Sequence, residues 1–263
     1  MGNLSTIGRI FYGIAIAAMG FLSIYYADFP YMLIPPKHLW IHDHVVVVYI
    51  SGALLILAGA WIAFAKKAMA VSLLLGSGLL LIFCFYFIPY ELMASSRYMH
   101  FGAWENAAKE LTLASGAFVI AGCFSYKSEN PLMRLLGKLI PLGTILFSLT
   151  IISYGVDHFL YGREAADYIP AWIPGHLFWM YFAGVALLGS GIGIILKIKP
   201  GLMAVLLGTM IFIWVIILHI PKSIAAPVAE KGGEITSGFL ALAYCGIAFV
   251  IAGNTARSRP GHL

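Results

Sequence analysis

The sequence predicts an all-α integral membrane protein of about eight transmembrane helices, built as two parallel four-helix repeats with both termini in the cytoplasm. Three observations carry this expectation. Hydrophobic residues make up 61% of the chain and Asp, Glu, Lys and Arg only 10%, where a soluble domain is about half apolar and a quarter charged. The apolar residues come in long runs of roughly 17–22, the length that crosses a bilayer as a helix. The chain also matches itself at an offset of 132 residues.

The apolar runs place spans near 8–27, 44–65, 68–89, 106–124, 138–158, 176–196, 201–220 and 235–253. Only helices or closed barrels satisfy their backbone in lipid, and continuous runs of this length are helices, not alternating strands. Pro35, Pro36, Pro89, Pro131, Pro141, Pro170, Pro174, Pro200 and Pro221 are expected in loops or at helix ends, because proline lacks the N–H that a helix interior needs. The first run follows Arg9 and resembles a signal peptide in outline. Its counterpart deep in the chain argues for a retained span instead.

Charge sets the orientation. The N-terminus, the 66–67, 125–138 and 197–200 loops and the C-terminus share one side. They carry ten of the sixteen basic residues and one acid, Glu129, while the opposite side has six basic residues and ten acids. The positive-inside rule puts the first side in the cytoplasm. A bacterial inner membrane is the expected location. The net charge of +5 is then a topology signal, and no nucleic acid partner is expected. Cys84, Cys123 and Cys245 lie apart in apolar stretches, as buried small hydrophobes do and as a CxxC redox pair does not.

At the offset of 132, Gly52 falls on Gly184, Gly59 on Gly191, Gly76 on Gly208, Tyr49 on Tyr181, His44 on His176, and Ile88-Pro89 on Ile220-Pro221. At 131, AFVIAG at 117–122 recurs at 248–253. The expected units are residues 1–126 and 127–263. Four spans per unit give both the same orientation, so the repeat is parallel, about a pseudo-two-fold axis along the membrane normal. Glycines such as Gly52, Gly59, Gly184, Gly189, Gly191 and Gly193 are expected to let helices approach closely; a glycine-lined ligand path is the alternative.

Seven of eight histidines, His38, His42, His44, His100, His158, His176 and His219, belong to the outer side, with acids including Asp28, Asp43, Glu91, Glu105, Glu110, Asp157, Glu164 and Asp167. Ionisable residues near lipid depth are expensive and point to function, so any site is expected at the outer face. The candidate catalytic residues are His176, His158, Asp157 and His44, the first and last being repeat equivalents. His219, His42, Asp43, Trp179 and Trp172 are candidate cofactor contacts. Histidine titrates near neutral pH, so it can hydrogen-bond a quinone carbonyl and move its protons. Asp157 would orient an imidazole. The bland readings stand beside these: capping histidines, and an interfacial aromatic belt of Trp40, Trp104, Trp172 and Trp179. Imidazole also suits a transition metal, and a bis-histidine haem between His44 and His176 stays open. No HxxxH or HExxH pair lies on one helical face, so the signal for a metal is weak. The outer loops 89–105 and 221–235 hold Arg97, Lys222 and Lys231; these and Arg163 are either solvated charges or an attraction for an anionic substrate.

The segment YGVDHFLYG at 154–162, followed by YIPAWIPGHLFWMYFAGVALLGSGIGIIL at 168–196, resembles the DoxX-like membrane family, whose members are usually single four-helix units. The resemblance covers most of 138–253 and, more loosely, 8–122. It implies quinone or redox chemistry at the membrane, as in a membrane subunit of a quinone-linked oxidoreductase, with a redox partner protein at the outer face. The first unit departs from the pattern, with Tyr25 and Tyr26 where the second has Asp157 and His158. The rival readings are a non-enzymatic scaffold, assembly factor or small-molecule carrier, and an outer-face metal- or haem-binding protein. A transporter is disfavoured, since the inner halves of the spans hold almost no ionisable groups.

Overall fold

A computed structural model describes residues 2–35, 44–96, 99–124 and 129–257. Among these residues there is helix and no strand. Eight helices form the frame: α1 Asn3–Tyr26, α2 Val45–Phe64, α3 Met69–Met93, α4 Glu105–Ala121, α5 Ile140–Leu160, α6 His176–Ile195, α7 Pro200–Ala225 and α8 Gly233–Arg257. A short helix, Pro131–Gly137, leads into α5, capped by the Asn130 side chain, which accepts from the Leu132 and Met133 amides.

Seven described helices, counting the short lead-in with α5, are long and apolar enough to cross a membrane. The exception is α4. It has 17 residues and carries Glu105, Lys109 and Glu110 in its first two turns. The spanning helices expose what a soluble protein would bury: Phe64 and Phe85 are about three-quarters exposed, and Leu54, Leu57 and Val185 are also bare. Apolar surface on that scale requires a lipid surround. The chain is therefore an all-α integral membrane protein.

Each helix packs on the next in sequence, and α8 returns to α1, closing a ring. Across that ring α4 also touches α8. This contact divides the bundle into one lobe with α1, α2 and α3 and another with α5, α6 and α7. Two phenol hydrogen bonds brace the partition. Tyr12 of α1 donates to the Leu113 carbonyl of α4 at 2.7 Å, and the Tyr154 and Tyr244 hydroxyls of α5 and α8 meet at 2.9 Å with their rings stacked. Close packing depends on glycine where helices touch backbone to backbone. A Cβ on Gly13 of α1 would lie 2.6 Å from the Gly59 carbonyl oxygen of α2, a separation no packing tolerates.

Most of the expected prolines sit where sequence reasoning puts them; Pro131, Pro141 and Pro200 occupy first helical turns. Pro89 and Pro221 do not. The helices α3 and α7 run through them to Met93 and Ala225. In each, a π-helical turn, Phe83–Phe87 or Val215–His219, directly precedes the Ile-Pro pair. The proline ring would collide with the carbonyl four residues back, and a wider turn moves that carbonyl away.

Candidate functional site

A cavity of about 340 Å³ lies in the second lobe, between α5, α6, α7 and α8 and the first turns of α4, towards the face opposite the chain termini. Its volume falls at the low end of ligand sites, which run to roughly 300–1,000 Å³. The walls are apolar and aromatic, with Met180, Met210, Trp179 and Trp214 among them. Two histidines enter it from different helices. His158 comes from the last turns of α5, and His219 closes the π-helical turn of α7. A π-turn rotates the residues it carries relative to a regular helix, which is how such turns present functional side chains.

The two imidazoles differ in their bonding. His158 Nδ1 lies 2.7 Å from the Tyr154 carbonyl oxygen, one turn earlier. A carbonyl only accepts, so Nδ1 carries the hydrogen and Nε2 is the nitrogen left for a ligand. In His219, Nδ1 is buried with no hydrogen-bond partner. An unmet buried polar atom costs about 1–3 kcal/mol, which a bound ligand would recover. Gly184 sets the position of His158: a Cβ there would lie 3.0 Å from His158 Cβ and 2.9 Å from the Phe159 ring. Glu105 and Lys109 add an ion pair of 2.6 Å, one turn apart on α4, at the cavity wall.

The nine sequence candidates scatter. His158, His219 and Trp179 meet at this cavity. Asp157 faces a second cavity of about 220 Å³ between α4, α5 and the π-turn of α3, and not the His158 ring. His176, partly exposed, is the first residue of α6 and lines neither cavity. His44 is exposed at the N-cap of α2. The equivalence of His44 and His176 does not bring them together, because α2 packs on α1 and α3 while α6 packs on α5 and α7. Trp172 is 71% exposed on the connection before α6. His42 and Asp43 lie outside the described residues. No group of three His, Cys, Asp or Glu side chains gathers at metal-binding distance among the described residues.

Sequence reasoning missed Tyr154, Tyr244, Lys109 and Trp214. One signal was available: Tyr154 precedes His158 by four residues, so the two share a helix face. Glu110, grouped with the outer acids, is fully buried on α4, and neither carboxylate oxygen has a partner.

No protein-family model matches the chain, and neither does any curated protein or solved structure.

Proposed function

We propose that the second-lobe cavity binds a lipid-soluble ring compound of the quinone type and that the chain is the membrane subunit of a quinone-linked oxidoreductase. One observation carries the reading. His158 and His219 enter a single aromatic-walled cavity from different helices, each with a nitrogen available to a ligand. A quinone head group presents hydrogen-bond acceptors at opposite edges of a flat ring. Two imidazoles with Trp179 and Trp214 meet those needs: the nitrogens bond the oxygens, and the rings pack on its faces. Reducing the quinone takes up two electrons and two protons. The histidines relay the protons, and a partner protein at the outer face supplies the electrons.

The same proposal takes the chain as a DoxX-like protein of two tandem units with eight spans. The two π-turns at an offset of 132 support this, each followed by Ile-Pro. So does the ring of contacts, in which α1 with α8 has its counterpart in α5 with α4. Counting α4 as the eighth span puts both termini on one side, and the excess of Lys and Arg there assigns it to the cytoplasm of a bacterial inner membrane.

The test is a titration of the protein in lipid nanodiscs with a short-chain ubiquinone analogue, read by quenching of tryptophan fluorescence. Saturable quenching is expected, weakened about tenfold or more, roughly 1.4 kcal/mol, by His158→Ala and His219→Ala and unchanged by His44→Ala. Quenching that never saturates, or that ignores both cavity histidines, sinks the quinone site. Binding without electron transfer to the quinone from any membrane or soluble fraction would replace the oxidoreductase reading with that of a carrier.

A further inference from the structure

The 220 Å³ cavity beside the quinone-type site is a separate compartment. Consecutive residues on a helix point about 100° apart, so Asp157 and His158 serve different spaces. The walls of this compartment combine two carboxylates, Asp157 and Glu105, with the rings of Phe83, Phe101 and Trp104. Leu149, half exposed, and Phe101, 42% exposed, place its rim on the outer perimeter of the bundle, where lipid lies.

Charge and bonding narrow the ligand. Glu105 is matched by Lys109 at 2.6 Å, and Asp157 has no ion pair among the described residues. Its Oδ1 is buried and accepts no hydrogen bond. That oxygen asks for a donor, and an ionised carboxylate asks for positive charge. The aromatic rings hold cations through the negative face of the π system. A ligand with N–H donors, a single positive charge and a size small enough for this space is a primary ammonium group. We propose that this cavity binds a primary ammonium between Asp157 and the three rings. The group comes either from the head of a phosphatidylethanolamine lipid or from a free small amine, and the chemistry of recognition is the same for both.

The experiment uses the full chain in detergent. Ethanolamine hydrochloride is titrated by calorimetry, and lipid retention is read by native mass spectrometry after mixing with equal amounts of phosphatidylethanolamine and phosphatidylglycerol. Saturable ethanolamine binding, or selective retention of phosphatidylethanolamine, is expected. Both signals fall at least about tenfold in Asp157→Asn and several-fold in Phe101→Leu, and both persist in His158→Ala. Retention of the lipid without ethanolamine binding assigns the site to the head group; binding of both admits the free amine. Tetramethylammonium, which has no N–H, binds more weakly than ethanolamine. The proposal is overturned if neither probe binds, or if binding survives both Asp157→Asn and Phe101→Leu in folded protein. A tetramethylammonium affinity equal to that of ethanolamine also overturns it, since Asp157 would then be accepting no hydrogen bond.

Discussion

The two lobes share one helical frame and differ in what the first connection of each does. After α1, the chain turns back inward, and Met32, Leu33 and Ile34 are buried in the same apolar cluster as Met19 and Leu79. After α5, the connection sends Ile169 and Ile173 into a small separate cluster with Met180 and leaves 340 Å³ open beside it. The first connection adds three buried apolar side chains to the core, and the second borders an open cavity. Met32 and its neighbours occupy space with side chains that make no directed bonds. The second lobe keeps its space and borders it with imidazoles, phenols and an ion pair.

The largest effect should come from truncating a core side chain of the first connection. Met32 is fully buried, so Met32→Ala leaves a cavity that the surrounding helices close only partly, at a cost of about 2–5 kcal/mol. Unfolding in a denaturing detergent series measures it. Ile169→Ala, at the margin of a space already open, should cost less than half as much. Equal costs would mean that the two connections play the same structural part.

Filling the open lobe is the converse. Ala183 of α6 is buried and lines the cavity. Ala183→Leu should abolish saturable quinone-analogue quenching while stability holds or rises by about 0.5–2 kcal/mol, as cavity-filling changes do. A loss of stability above about 1 kcal/mol would show the wall to be packed, not hollow. Next in size is Gly184→Ala. Its methyl meets His158 Cβ and the Phe159 ring, so α6 has to move off α5 at the histidine. Overpacking of this kind costs about 1–3 kcal/mol. Quinone-analogue affinity should fall with it, and Gly189→Ala, which meets nothing within 4 Å, should change neither quantity.

Much of this frame was legible in the residues. Apolar runs placed the seven membrane-length helices to within a few residues at most ends, because the length needed to cross lipid and the lack of polar side chains leave little freedom. Pro89 and Pro221 misled, since a proline normally ends a helix; the absorbing π-turn is a local geometric adjustment with no composition of its own. The site was half legible. His158, His219 and Trp179 were in view, yet His176 and His44 ranked above two of them on repeat equivalence. Equivalence in a two-fold arrangement says that environments match, not that residues meet, and here the helices that carry them belong to different lobes. Tyr244 gave no signal, because an aromatic in an apolar span is indistinguishable in sequence from one that faces lipid. The inward course of Met32–Ile34 was equally silent, since a short apolar stretch after a span reads the same in a core as in a membrane interface.

The smallest effect concerns what holds the inward-turning connection. Lys231 pairs with Asp28 at 2.6 Å, and Tyr31 reaches Ser237 at 2.8 Å with the Lys109 ammonium 5.0 Å from its ring centre. The first contact is largely in water, with Lys231 65% exposed, so Lys231→Ala should cost about 0–1 kcal/mol and less in high salt. The second is partly buried and touches residues of the open lobe: both Ser237 and Lys109 line its cavity. Tyr31→Phe removes the hydroxyl and keeps the ring. It should therefore change quinone-analogue affinity while leaving stability within about 1 kcal/mol, whereas Lys231→Ala should leave affinity untouched. If Lys231→Ala shifts affinity as much as Tyr31→Phe does, the connection moves as one body and the two lobes are coupled through it. If neither shifts it, the lobes are independent, and the contents of the first bear only on folding.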